Sequence, residues 1–246
     1  MAEPRHLENA PIVEAIIDVR VALPDGFPAE ALYSAKDLLA SDFPGLRTQF
    51  EFESKFQVVP NDIQAGEIRN KGIKGYMFVS PDEKDLVQFR LNGYTRNRLA
   101  PYRKWEELLP SAMELWTAYH DLTSPVELSR VATRYINRFS VPALTTDFSE
   151  YLEMPPSIPE NIPNVISEFA YRAVLHDTDS GCSAVFTQKI EPDINADRTA
   201  VIVDIDAFKQ SDIEFGDIEA TLNDLHELKN RIFFNTLTEK TLGMFE

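Results

Sequence analysis

The residues best suited to chemistry in this chain are arginines set at strand spacing. The run Gln88-Phe-Arg-Leu-Asn-Gly-Tyr-Thr-Arg-Asn-Arg98 holds three of them with two asparagines and Tyr94. Read as a single strand, it puts Arg90, Asn92, Tyr94 and Arg96 on one face, opposite Phe89 and Leu91. A second run, 127–142, puts Arg130, Arg134 and Arg138 on one face and carries Asn137 as well. Planar guanidinium groups arrayed in this way hold carboxylates or phosphates in bidentate fashion. Arg90, Tyr94, Arg96, Arg130, Arg134, Asn137 and Arg138 are therefore the candidate binding residues, for an anion or a carboxylate-bearing partner. A competing reading pairs the same arginines with Glu14, Asp18, Glu51 and Glu53 on facing strands, as ordinary cross-strand charge pairs.

A second chemistry is suggested by Glu51-Phe-Glu-Ser-Lys55, which resembles the alternating acidic and basic strand of triphosphate tunnel enzymes. In that reading Glu51 and Glu53 hold a divalent metal while arginines grip a polyphosphate. Alternating charges are also what any solvated strand face shows, and the motif stands on the second strand rather than near the start of the chain. Asp204 and Asp206 alternate likewise along Val201-Ile-Val-Asp-Ile-Asp206 and read as a polar strand face. The histidines His6, His120, His176 and His226 are scattered, and none has a second ligand at metal spacing. Cys182 has nothing nearby in sequence to activate a thiolate. No phosphate loop, nucleophile elbow or dinucleotide fingerprint is present. The primary reading thus carries no catalytic residue, no metal and no cofactor.

The elements that must position these side chains follow from periodicity. Leu46, Thr48, Phe50, Phe52, Phe56 and Val58 alternate with a wholly polar set, as expected for an antiparallel sheet with helices on one side. Residues 12–23 alternate too, with Val13, Ala15, Ile17, Val19, Val21 and Leu23 on one face. Pro28 opens a helix whose buried stripe is Leu32, Ala35, Leu39 and Phe43. A polar loop through Asn61 and Gly72 and strands at 74–80 and 86–96 come next, before a helix over 104–121 with Trp105 and Trp116 on its apolar face. The second half reads as a strand at 127–142, a short helix at 147–153 and a proline-rich link at 155–163. Strands near 165–177, 182–191 and 199–208 follow, then a long helix from about Asp217. The fold class expected is α+β, with a lobe over residues 1–123 and a second over 124–246 forming one compact unit. Each lobe is a sheet plus a long helix, and the pair resembles a duplicated TATA-binding-protein-like or helix-grip arrangement.

Charge narrows the partners. The 246 residues carry a formal net charge of -16. Between Lys84 and Arg138 nine basic residues meet six acidic ones, so the rest of the chain bears -19. So acidic a body argues against broad nucleic-acid or anionic-membrane binding, and reads either as solubility alone or as a surface for a basic partner protein. No apolar run reaches the roughly 20 residues a membrane span requires. The N-terminus lacks the apolar core of a signal peptide, and a lone cysteine suits a reducing compartment, so a cytoplasmic address is expected.

Three segments resemble an uncharacterised, sporadically distributed prokaryotic family of about this length. They are Ala10-Pro-Ile-Val-Glu-Ala15, Arg134-Tyr-Ile-Asn-Arg138 and His226-Glu-Leu-Lys-Asn-Arg-Ile-Phe-Phe-Asn-Thr-Leu-Thr238. The resemblance implies no catalytic residues. Patchy occurrence implies an accessory role, such as phage defence or toxin neutralisation. The function expected is a non-catalytic binding or interaction module, with a metal-dependent triphosphate-processing enzyme as the alternative.

Overall fold

A computed structural model describes residues 5, 7–59, 62–143, 147–159, 161–163, 165–195 and 197–246, the side chains of 54–59 and 62–68 excepted. The fold is α+β. Its strands are β1 (Ile12–Ala22), β2 (Gly45–Val59), β3 (Asp62–Val79), β4 (Asp85–Arg90), β5 (Gly93–Leu99), β6 (Glu127–Pro142), β7 (Phe169–Asp177), β8 (Cys182–Pro192) and β9 (Arg198–Lys209). The helices are α1 (Ala35–Leu39), α2 (Trp105–Thr123), α3 (Ile218–Thr236) and α4 (Glu239–Leu242), with short 3-10 turns before α1, after β6 and before α3. The strands form one nine-stranded sheet in the order β2-β3-β4-β5-β1-β6-β9-β8-β7, every neighbouring pair antiparallel. The two halves of the chain join where β1 pairs with β6 over Ile12–Ala22.

Period-two alternation decides which side of the sheet is dry. Ala15, Ile17 and Val19 of β1, Val131 and Tyr135 of β6, and Val203, Ile205 and Ala207 of β9 are buried on one face. That face receives α2 and α3. Tyr94 donates its hydroxyl to Ala112 O at 3.0 Å, and Tyr119 donates to Arg90 O at 2.8 Å, so each buried phenol finds a backbone acceptor. The helices also touch each other, Trp105 of α2 stacking on His226 of α3, while Trp116 stacks on Phe215 in the 3-10 turn that leads into α3. These contacts run in opposite chain directions, which makes α2 and α3 antiparallel neighbours. The expected stripe Leu32, Ala35, Leu39 and Phe43 is buried under the first half of the sheet.

Three expectations are corrected. The single strand over 86–96 is two strands, β4 and β5, joined by a turn at Leu91-Asn-Gly93. Gly93 has φ +142, and a Cβ there would lie 2.2 Å from Val19 O, so the turn needs glycine. Of the polar loop expected through Asn61 and Gly72, Asn61 lies outside the described residues and Gly72 belongs to β3, which pairs with β2 from Asp62 to Val79. Phe50 and Phe52 were expected to be buried and are 50% and 61% exposed. The reason is geometric. β4 pairs with β3 only over Gly75–Val79, so the β2–β3 hairpin runs on as a two-stranded arm, and among the described residues no element is laid over Phe50 and Phe52. The side chains of Phe56 and Val58 lie outside the described residues.

This packing makes two substitutions differ sharply. Trp116, 5% exposed against Tyr94, Tyr119 and Phe215, should cost about 3–5 kcal/mol when changed to Ala. Phe52→Ser should stay within about 0.5 kcal/mol of the parent. Urea midpoints of the two variants check both values.

Candidate functional site

The hairpin turn splits the expected binding set between the two faces of the sheet. Phe89 pairs with Tyr94 and Val87 with Arg96, which puts Tyr94 and Arg96 on the helix side. Asn137 is there as well, buried and donating its amide to Val203 O at 2.9 Å. Arg90, Arg130, Arg134 and Arg138 occupy the opposite face, which no helix covers among the described residues. The seven residues therefore do not form one constellation. The one-strand reading failed because a two-residue turn inverts the alternation that follows it.

On the open face the arginines are met by carboxylates. Arg90 donates to Asp18 Oδ1 at 2.8 Å and to the Thr95 hydroxyl at 2.6 Å, and Thr95 donates onward to the same Asp18 oxygen at 2.8 Å. Arg130 reaches Asp18 Oδ2 at 3.4 Å and both oxygens of Asp206 at 2.7 and 2.8 Å, with its guanidinium over the Phe208 ring. Arg134 holds Asp204 in bidentate fashion at 2.8 and 2.5 Å. Arg138 donates to Asp193 Oδ1 at 2.9 Å, and Ser140 donates to the other oxygen of Asp193. Burial alone would raise the Asp18 carboxyl, but Arg90 and the Thr95 hydroxyl outweigh it and hold it below the usual range. Asp193 is brought down to about 2, chiefly by Ser140 and then by Arg138. A neutral relay extends the lattice sideways, Gln49 donating to Gln88, Gln88 to Asn97 and Asn97 to Glu14.

Cross-strand pairing thus accounts for the open-face arginines, with a changed set of acids. Asp18 was expected as a partner. Glu14 pairs with Asn97 instead, and Asp204, Asp206 and Asp193 supply the remaining carboxylates. Glu51 and Glu53 lie on the two-stranded arm, where Lys71 Nζ stands 4.0 and 3.8 Å from their carboxylates. Among the described residues no group of three or more His, Cys, Asp or Glu side chains is placed to hold a metal ion. Nor is any helix there long and apolar enough to cross a membrane.

On the helix side the structure shows a cavity that the strand pattern did not reveal. It measures about 280 Å³ and lies between the start of α2 and the middle of α3. All three segments singled out in the sequence reach it: Ala10 and Ile12, Asn137, and the run from His226 to Phe234. His226, Lys229, Asn230 and Phe233 follow i, i+3, i+4, i+7 spacing and so share one face of α3. Lys229 is only 6% exposed. Its ammonium lies 3.8 Å from the centre of the Tyr135 ring and donates to Asn230 Oδ1 at 2.5 Å. Burial pulls its pKa down to about 7. His226 is lowered to about 3 by burial and then by Lys229, so it is neutral near pH 7. The hydroxyls of Tyr102 and Tyr135 are hydrogen-bonded at 3.1 Å, and burial pushes Tyr102 up to about 12. Polar residues on the apolar stripe of a helix were the available sequence signal, and scanning histidines for metal spacing passed over it. His6 lies outside the described residues.

Two predictions follow the two faces. Arg130, with a side chain 10% exposed between two carboxylates, should cost about 3–5 kcal/mol as Arg130→Met, because both acids lose their buried partner. Arg134, 43% exposed, should cost only about 0–1 kcal/mol as Arg134→Met. Chemical denaturation of each variant separates them. On the helix side, the folded chain binds fewer protons than the unfolded chain in two windows. Stability from His226 is full above its ordinary value of about 6.5 and is lost as pH falls toward 3. The cost of burying charged Lys229 is fully present below about 7 and is relieved as pH rises toward 10.5. Urea midpoints measured across both windows should show a rise between about pH 7 and pH 9.5 in the parent that Lys229→Met lacks.

No protein-family model matches the chain and no curated protein matches it, so its functional reading rests on these residues and their geometry.

Proposed function

We propose that the chain is a non-catalytic binding or interaction module that works in the cytosol and meets a partner protein on the open face of its sheet. One observation carries this reading. Both long helices lie on a single face, and the other face bears a lattice of arginines and carboxylates whose outer members, Arg134 and Arg138, keep 43% and 33% of their side chains exposed. Held in place by Asp204 and Asp193, these guanidinium groups keep donors free for a second carboxylate and lose little side-chain freedom on binding it. At longer range the net charge of -16 draws a basic partner and speeds its encounter. The sequence resemblance adds an accessory defence or toxin-neutralising setting to this proposal.

We also read the halves as a duplication of the TATA-binding-protein-like or helix-grip kind. What supports it is strand order: β5 returns beside β1 and β9 returns beside β6, each followed by a long helix. The triphosphate-enzyme alternative has weaker support, because Glu51 and Glu53 sit on the arm with Lys71 rather than converging with the arginines.

Affinity capture from the native host should recover a basic protein with the parent chain and lose it with Arg134→Glu/Arg138→Glu, whose fold is checked by its thermal melt. Equal recovery by both would remove the open face from the interface. Incubation of the parent with Mg²⁺ or Mn²⁺ and inorganic triphosphate should release no phosphate above a Glu51→Gln/Glu53→Gln control. Turnover lost in that control would favour the enzyme instead.

A further inference from the structure

We propose that the cavity between α2 and α3 binds a small organic carboxylate with an aromatic or branched apolar body. This goes beyond the partner reading, since the cavity lies on the helix side of the sheet and shares no side chain with the open-face lattice.

The first support is an unbalanced charge. Lys229 is buried, yet no carboxylate among the described residues lies within ion-pair distance of its ammonium. Its neighbours are a neutral amide oxygen, Asn230 Oδ1, and the π face of Tyr135. A desolvated cation without a counter-ion is unfavourable, and such groups are retained where something supplies the missing charge. The second support is the mouth. Arg103 is exposed there and makes no ion pair among the described residues, and Lys104 is the N-cap of α2 with no side-chain cap bond. The positive end of a 19-residue helix thus opens at the cavity. Of the four cations that line it, Arg5 pairs with Glu239 and Glu246 and Lys104 with Glu107, which leaves Arg103 and Lys229 without an acid among the described residues.

The walls select the rest of the ligand. Trp105 and His226 stack face to face at 4.3 Å, and Phe233 and Phe234 add apolar surface. A volume of about 280 Å³ suits a molecule the size of an aromatic or branched-chain acid. One buried ammonium beside aromatic walls matches a single carboxylate better than a phosphate dianion, which asks for several converging donors.

Calorimetric titration of the full chain at about pH 6.5, where Lys229 is mostly charged, tests this with phenylacetate, indole-3-acetate and 4-methylpentanoate against their carboxamides. At least one acid should bind at one per chain and at least about tenfold tighter than its amide, the amide having the same shape without the charge. Lys229→Met should abolish that preference, and Arg103→Glu should weaken the acid severalfold. Equal binding of acid and amide would overturn the proposal, as would no binding of any of the three acids up to about 10 mM or a preference that survives Lys229→Met. Should Lys229→Met fail to fold, the acid–amide comparison on the parent chain and the exposed Arg103→Glu variant decide the question. Neither result depends on the open-face partner, so either proposal can fail while the other stands.

Discussion

The Asp18 carboxylate stands where the two halves of the chain meet, and the central strands depend on how its charge is answered. It projects from β1 between β5 and β6, accepting from Arg90 and Thr95 on one side and approached by Arg130 on the other. Arg130 carries the connection on to Asp206 of β9. Four strands from both halves are thus tied by one chain of ion pairs laid over their hydrogen bonds. Removing a central charge strands its partners in a poorly solvated place, so the network is worth most as a whole and least when broken singly. The opposite side of the same strands holds apolar residues and the two long helices. The β1–β6 seam is dry on one face and ionic on the other.

That division separates two kinds of binding surface. On the ionic face charges are paired across strands, and what remains for a partner is the outer fringe at Arg134 and Arg138. On the helix face Arg96 and Arg98 share Asp85, whereas Lys229 is buried with no carboxylate beside it among the described residues. A paired array positions and discriminates, whereas an unpaired buried cation exerts a strong local pull on one anion. The sheet keeps these surfaces apart because successive side chains along a strand point to opposite faces.

Much of the fold was legible from spacing. The alternation of β1, the even spacing of the arginines on β6, the Asp204 and Asp206 alternation on β9 and the apolar face of α2 gave element type and face, since burial acts on each residue through its own position along the strand or helix. Trp105 and Trp116 are buried as that pattern required. What was misread turned on contacts between elements. Asn92-Gly93 was a turn signal inside an otherwise convincing strand, and missing it put Tyr94 and Arg96 on the wrong face. Phe50 and Phe52 share a face and stay exposed, because alternation says which residues point together and not what lies opposite them.

The candidate sites divide in the same way. By itself the sequence determined that Arg130, Arg134 and Arg138 share a face, because their even spacing leaves a strand no other choice. Which carboxylates answer them was decided by strand order: β9, about 70 residues further along the chain, pairs with β6 and brings Asp204 and Asp206 beside the arginines. The cavity was decided by tertiary structure altogether. Residues 10–12, 102–106, 137 and 226–234 are distant in sequence and converge only because two antiparallel helices pack across the seam between the halves. A one-dimensional pattern records which way each side chain points along its own element, and a site built from several elements exists only once their packing has placed those directions together.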